Sequence, residues 1–168
     1  MIDPEKTCLV IPVYPHGNMS AELALWIRKF PNVRVTKIPD IVVAYNSLLS
    51  DAAKSNEFEN WMYIDNDMKP HAYANSFLEA DADIVGCRYE TEHQSAWDMP
   101  TNFHSGFFRI KTAALKKLVP PYFDFQYNAT KTKRMGCMCR HLERQAIEAG
   151  LTITVAGWSE HGNQRSWC

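Results

Sequence analysis

The 168-residue chain has no excess of charge of either sign: 18 lysines and arginines against 19 aspartates and glutamates leave a formal net charge of −1. That balance gives no reason to expect a chain coated in nucleic acid or membrane phosphates. There is no apolar run near the ~20 residues that span a bilayer. The amino terminus, Met1-Ile2-Asp3-Pro4-Glu5-Lys6, is charged and lacks the apolar core of a signal peptide. Internal repeats and low-complexity stretches are also missing. The cysteines do not pair off by number: Cys8, Cys87, Cys137, Cys139 and Cys168 make five, scattered among apolar and helical residues. Reduced thiols in a cytoplasmic protein are the simplest expectation. What the chain does have is an ordinary apolar fraction of 46%, enough to build one compact domain over 1–168 around a single core.

Strand and helix signals alternate along the chain. Thr7 to Tyr14 is an apolar run ending in the loop Pro15-His16-Gly17-Asn18. Ser20 is placed to cap a helix with Glu22 in its first turn, followed by Leu23, Leu25, Trp26, Ile27 and Phe30. Val33 to Ile38 alternates like a strand, and a helix is expected from Val43 to Lys54 with Leu48, Leu49 and Ala52 on one face. A short helix near His71 to Leu78 and a strand from Ala82 to Cys87 follow. The polar stretch Tyr89 to Thr101 reads as a surface loop, and Asn102 to Ile110 as a strand containing Gly106. Thr112 is expected to cap a helix that Pro120-Pro121 stops. Arg140 to Ala149 is amphipathic with Gly150 at its end, and Leu151 to Val155 is the last strand, followed by a polar and aromatic tail. This pattern predicts an α/β fold with a mostly parallel twisted sheet flanked by helices, with one antiparallel strand near Gly106.

The stretch Trp61-Met62-Tyr63-Ile64-Asp65-Asn66-Asp67 carries the chemistry. Its apolar half reads as a buried strand. Asp65 and Asp67 then stand where that strand leaves the sheet, the edge at which open α/β sheets place ligands. Paired carboxylates there suit a hard divalent cation, Mg²⁺ or Mn²⁺, shared with phosphate oxygens.

The order of Ile11-Pro12-Val13-Tyr14, Ala44-Tyr45-Asn46, Ile64-Asp65-Asn66-Asp67, His104-Ser105-Gly106-Phe107-Phe108 and Glu160-His161-Gly162 resembles the nucleotide-sugar glycosyltransferases of the GT-A fold, of the Asp-x-Asp type. The likeness runs over nearly the whole chain, though each motif is short. It implies a single-domain, Rossmann-like architecture with no separate acceptor domain. It also implies a metal, Mn²⁺ or Mg²⁺, on Asp65 and Asp67 with His161 as a further ligand. By the same resemblance Pro12, Val13 and Tyr14 line the nucleotide pocket, and Asn46, Asp65, Asn66, His104, Gly106 and Arg165 face the nucleotide sugar. Trp97 and Asp98 would form the acceptor platform, with Asp98 available as a base. The implied activity is metal-dependent transfer of a sugar from a nucleotide-diphosphate sugar to a hydroxyl on a glycan, a protein, a small molecule or a modified nucleobase.

Two departures from that pattern stand out. Tyr45 occupies the place of an arginine that often precedes the asparagine at the nucleotide site. The stretch Met135 to Arg140 has no carboxylate where inverting members usually place their base, which leaves Asp98, Asp124 and Glu143 as candidates. The alternative of a non-catalytic sugar-nucleotide or glycan-binding module therefore stays open. Lys131-Thr132-Lys133-Arg134 is the one feature suited to a polyanionic acceptor such as DNA, which the net charge does not favour. Cys137-x-Cys139-x-His141 offers zinc ligands, but its one-residue spacing is not the usual pair, so these residues read as helix-start thiols. A phosphatase of the Asp-x-Asp nucleophile type fits poorly, because its aspartates follow the first strand and these follow the third.

Overall fold

The computed structural model describes residues 1–13, 18–37, 40–89, 101, 103–133 and 136–162. Among them, seven strands form one sheet: β1 (Thr7–Val13), β2 (Val33–Lys37), β3 (Asn60–Ile64), β4 (Met68–Pro70), β5 (Ile84–Arg88), β6 (Phe107–Lys111) and β7 (Ile153–His161), in the order β2-β1-β3-β6-β5-β7-β4. Five helices accompany it: α1 (Ala21–Trp26), α2 (Ile41–Lys54), α3 (Asn75–Glu79), α4 (Thr112–Leu115) and α5 (Cys139–Glu148). No helix among the described residues is long and apolar enough to cross a membrane.

Alternation along the central strands sends side chains to both faces. Cys8, Val10, Trp61 and Tyr63 join a core shared with residues of α2, α4 and α5, while Leu9, Ile11, Met62 and Ile64 join a second core with residues of α1 and α3. Burial on both faces explains why β1 and β3 are continuous apolar runs. The two clusters belong to one mixed α/β layer structure.

Several elements follow the sequence signals closely. The Ser20 hydroxyl accepts from Leu23 N–H at 3.0 Å and starts α1. Gly150, at φ +69°, ends α5 in the left-handed conformation that glycine adopts without penalty. Helix α2 begins two residues before the expected Val43, because Asp40 accepts from Val43 N–H at 2.9 Å and serves as its N-cap.

Other elements differ. The sheet is mixed: β1 pairs in parallel with β2 and β3, and β5 with β7, whereas β3–β6, β5–β6 and β4–β7 are antiparallel. Thr112 is the first residue of α4 and caps nothing; its hydroxyl donates to Phe58 O at 2.6 Å, linking that helix to the approach to β3. The last strand runs on to His161, beyond the expected Val155, because it pairs on both sides, with β5 and with β4.

That extra pairing shapes the molecule. Only Asp65, Asn66 and Asp67 separate β3 from β4, so Ile64 and Met68 lie at most about 14 Å apart along an extended chain. In the sheet order, β4 is four steps from β3, which is about 19 Å in a flat sheet. The sheet must therefore curl, folding its β7–β4 edge back over the carboxyl end of β3.

Candidate active site

Asp65 leaves β3 while still tied to the sheet, its N–H donating to Gly106 O at 2.8 Å. Met68 N–H then donates to Asp65 O at 3.1 Å, which closes a tight turn around Asn66 and Asp67. Two bonds from Ser20 fasten this turn to the start of α1: its N–H to Asn66 O at 3.1 Å and its hydroxyl to Met68 O at 2.6 Å. The β4–β7 register sets Met68 opposite His161, and Gly162 N–H reaches Asp67 O at 2.9 Å. A Cβ on Gly162 would lie 2.5 Å from that same carbonyl, so only glycine permits this closure.

The result is a cluster in which one ligand atom each of Asp65, Asp67 and His161 all lie within 4.8 Å of one another. His161 Nε2 is 3.6 Å from Asp67 Oδ1, and the imidazole stacks on the Tyr89 ring at 5.6 Å. Asp65 is only 8% exposed. Burial pushes its carboxyl up to about 8; the neighbouring charge of Asp67 adds to this, and a hydrogen bond from Tyr45 works against it. That bond, from Tyr45 Oη to Asp65 Oδ1, is 2.6 Å long, and the same hydroxyl lies 3.2 Å from Ser105 O. Two carboxylates and an imidazole gathered at the rim of a sheet suit a divalent cation, which would relieve the cost of ionising Asp65 there. Asn66 Oδ1, buried and without a hydrogen-bond partner among the described residues, adds an acceptor beside them.

Of the residues expected at the site, Asp65, Asn66, Asp67, Gly106 and His161 come together. Gly106 was expected to let the backbone approach a ligand; the space a side chain there would need is filled by Tyr89 Oη at 2.6 Å and Asp65 Oδ2 at 3.2 Å. Its N–H donates to Tyr89 Oη at 3.0 Å. Pro12 and Val13 end β1, the neighbour of β3. Asn46 spends its amide on the chain: its Oδ1 accepts from Tyr122 and Phe123 N–H at 2.7 and 2.9 Å, and its Nδ2 donates to Phe123 O at 2.8 Å. His104 is buried and groups with Cys137 and Cys139, its ring 5.8 Å from that of Tyr89, which also stacks on His161. His141, the imidazole the sequence pairs with those cysteines, instead lies 2.8 Å from Gln145 Nε2 one turn along α5. Tyr14, Trp97, Asp98 and Arg165 lie outside the described residues.

Two contributors were not evident in the sequence. Tyr45 stands in for the expected arginine with a hydroxyl on Asp65. Tyr89 underlies His161. Glu143, named from the sequence as a candidate base, is 1% exposed and accepts from Thr101 N–H at 2.9 Å and from the Thr101 hydroxyl. One signal was available: a tyrosine on the apolar face of a helix needs a partner for its hydroxyl.

No protein-family model and no curated protein matches the sequence. Solved structures do share the fold. A197 from STIV superposes with a TM-score of 0.59 at 11% identity, over 90% of this chain and 83% of that one. A mutant of Drosophila β-1,4-galactosyltransferase 7, crystallised with manganese, UDP-Gal and xylobiose, gives 0.53 at 12% identity, over 89% of this chain and 65% of that one. A glycosyltransferase involved in glycosylation of the major capsid of PBCV-1 gives 0.51 at 10% identity, with coverage of 95% and 94%. The fold is thus glycosyltransferase-like.

Proposed function

We propose that this chain is a divalent-metal-dependent glycosyltransferase, moving a sugar from a nucleotide-diphosphate sugar to a hydroxyl acceptor. The convergence of Asp65, Asp67 and His161 on one point at the carboxyl edge of the sheet carries this reading. Asp65, Asp67 and His161 would hold Mn²⁺ or Mg²⁺, whose chemistry there is neutralisation of the diphosphate leaving group. Tyr45 keeps Asp65 in place through its 2.6 Å bond, and the Gly162–Asp67 contact sets Asp67 against His161. Asn66 Oδ1 is available to a ribose hydroxyl. Pro12 and Val13 form the nucleotide side by their place at the end of β1, Tyr14 is assigned beside them from the sequence, and Gly106 floors the sugar side. Arg165 is assigned to the diphosphate, and Trp97 and Asp98 to the acceptor, with Asp98 taking the proton from its hydroxyl. These last three assignments rest on the sequence. The galactosyltransferase crystallised with manganese and UDP-Gal makes UDP-sugars with Mn²⁺ the first donors to test.

One observation favours a binding module instead: Glu143, the candidate base on α5, is already committed to Thr101. A single assay separates the two. Nucleotide sugars are incubated with the protein and Mn²⁺, with and without pooled hydroxyl acceptors, and released nucleoside diphosphate is followed over time. Metal-dependent release that disappears in Asp67→Asn supports the transferase. Tight donor binding with no release would assign the binding module, and metal-independent donor binding in Asp65→Ala/Asp67→Ala would remove the basis of both.

A further inference from the structure

We propose a second metal site, for a thiophilic cation of the zinc class, built from His104, Cys137 and Cys139 and separate from the carboxylate cluster. All three residues are buried, with exposures of 5%, 0% and 0%. One ligand atom from each lies within 4.8 Å of the others. Two sulfurs and an imidazole nitrogen are the donor set zinc prefers, whereas Mg²⁺ and Mn²⁺ prefer the oxygen-rich cluster on Asp65.

Three further observations fit metal-bound thiolates; without metal, Cys137 Sγ–H points at Cys139 Sγ at 3.1 Å and Cys139 Sγ–H at Ser105 Oγ at 3.2 Å, the contacts a bound ion would replace. His104 Nδ1 is buried and has no hydrogen-bond partner among the described residues, a costly arrangement unless its lone pair is used. Both sulfurs face backbone donors: Ser105 N–H points at Cys139 Sγ at 3.2 Å, and Cys139 N–H at Cys137 Sγ at 3.4 Å. Such N–H···S contacts stabilise thiolates and fix the direction of a ligand. Cys139 is also the first residue of the ten-residue α5, whose N-cap, Met138, supplies no side-chain bond, so the helix dipole favours negative charge there.

The geometry needs little change. Cys137 Sγ and Cys139 Sγ are 3.1 Å apart. A tetrahedral zinc with bonds of about 2.3 Å would hold them about 3.8 Å apart, within reach of small side-chain rotations. The described residues supply three donors, so the fourth position remains for a water or a further ligand. Bound there, the ion would join the segment entering α5 to the 103–106 turn. That turn backs the carboxylate cluster through Ser105 O and the Tyr45 hydroxyl. The one-residue spacing of the cysteines did not reveal this site, because the third ligand is 33 positions upstream of Cys137 and arrives only through the fold.

The test uses the full chain, purified under reducing conditions, stripped with a chelator and reloaded with one equivalent of Zn²⁺. Metal analysis should find one zinc per chain. X-ray absorption at the zinc edge should show two sulfur neighbours at about 2.3 Å and nitrogen or oxygen at about 2.0 Å. His104→Gln and Cys137→Ser should each weaken zinc binding at least tenfold, while Asp67→Asn should leave the sulfur shell intact. A shell of nitrogen and oxygen alone would place the ion on the carboxylates and overturn the proposal. Failure to retain zinc, or a Cys137–Cys139 disulfide in the reduced preparation, would overturn it equally. The wild-type spectrum decides the matter even if a cysteine variant does not fold.

Discussion

Replacing Tyr45 by phenylalanine removes one oxygen from the buried face of α2 and keeps the ring. The ring packs against Phe123 at 5.3 Å, Tyr63 at 5.9 Å and Phe108 at 6.1 Å, so the substitution leaves no cavity of note. What it takes away is the 2.6 Å donor on Asp65 Oδ1. Without metal at pH 7, a carboxyl raised to about 8 is mostly protonated, so the loss is an ordinary buried hydrogen bond worth about 1 kcal/mol. With metal bound, Asp65 is ionised and the same hydroxyl is a charge-assisted partner that orients a ligand. Losing such a partner typically costs 10- to 100-fold in metal affinity, or about 1.4–2.7 kcal/mol. The two measurements should therefore diverge in Tyr45→Phe. Chemical denaturation of the metal-free protein should show a loss of about 1 kcal/mol, and calorimetric titration with Mn²⁺ at least a tenfold weaker binding. A folded variant that binds Mn²⁺ within threefold of wild type would refute the role given to this hydroxyl.

Three other outcomes follow from the geometry. His161→Ala should weaken Mn²⁺ binding less than Asp67→Ala, as the neutral ligand contributes less than the anion; equal binding with and without the imidazole in a calorimetric titration would remove His161 from the site. Gly162→Ala forces a Cβ to within 2.5 Å of Asp67 O and should cost roughly 1–3 kcal/mol in thermal or denaturant unfolding, with weaker Mn²⁺ binding as Asp67 shifts; unchanged stability and binding would mean that β4 and β7 close without that glycine. Asp83 accepts from the Thr152 N–H and hydroxyl, both at 2.9 Å, and these bonds, the backbone one first, hold its carboxyl below the usual range. Its folded value is depressed, so its stabilisation is present above the unfolded pKa of about 3.9 and is lost as pH falls through the folded value. Asp83→Ala should thus cost about 1 kcal/mol at pH 7, with the gap to wild type closing in acid; a gap that stays constant to pH 2 would contradict this.

The sequence by itself determined whatever depends on neighbours along the chain. The apolar runs at Thr7–Val13 and Asn60–Ile64 specified strands buried on both faces, Ser20 and Gly150 specified helix ends, and Asp65-Asn66-Asp67 marked the turn at the carboxyl end of β3. Each follows from side-chain period or backbone preference over a few residues. Sheet curl was not legible, because it arises from four pairings that join β3 to β4 through β6, β5 and β7. That curl put His161 beside Asp67 and carried the last strand past Val155. Likewise, Tyr45 reached Asp65 across 20 positions and His104 reached Cys137 and Cys139 across more than thirty. Local pattern fixes which residues can do chemistry, but only the tertiary structure decides which of them meet. A ligand set needs atoms within a few ångströms, and the sequence carries no measure of distance between segments that the chain folds together.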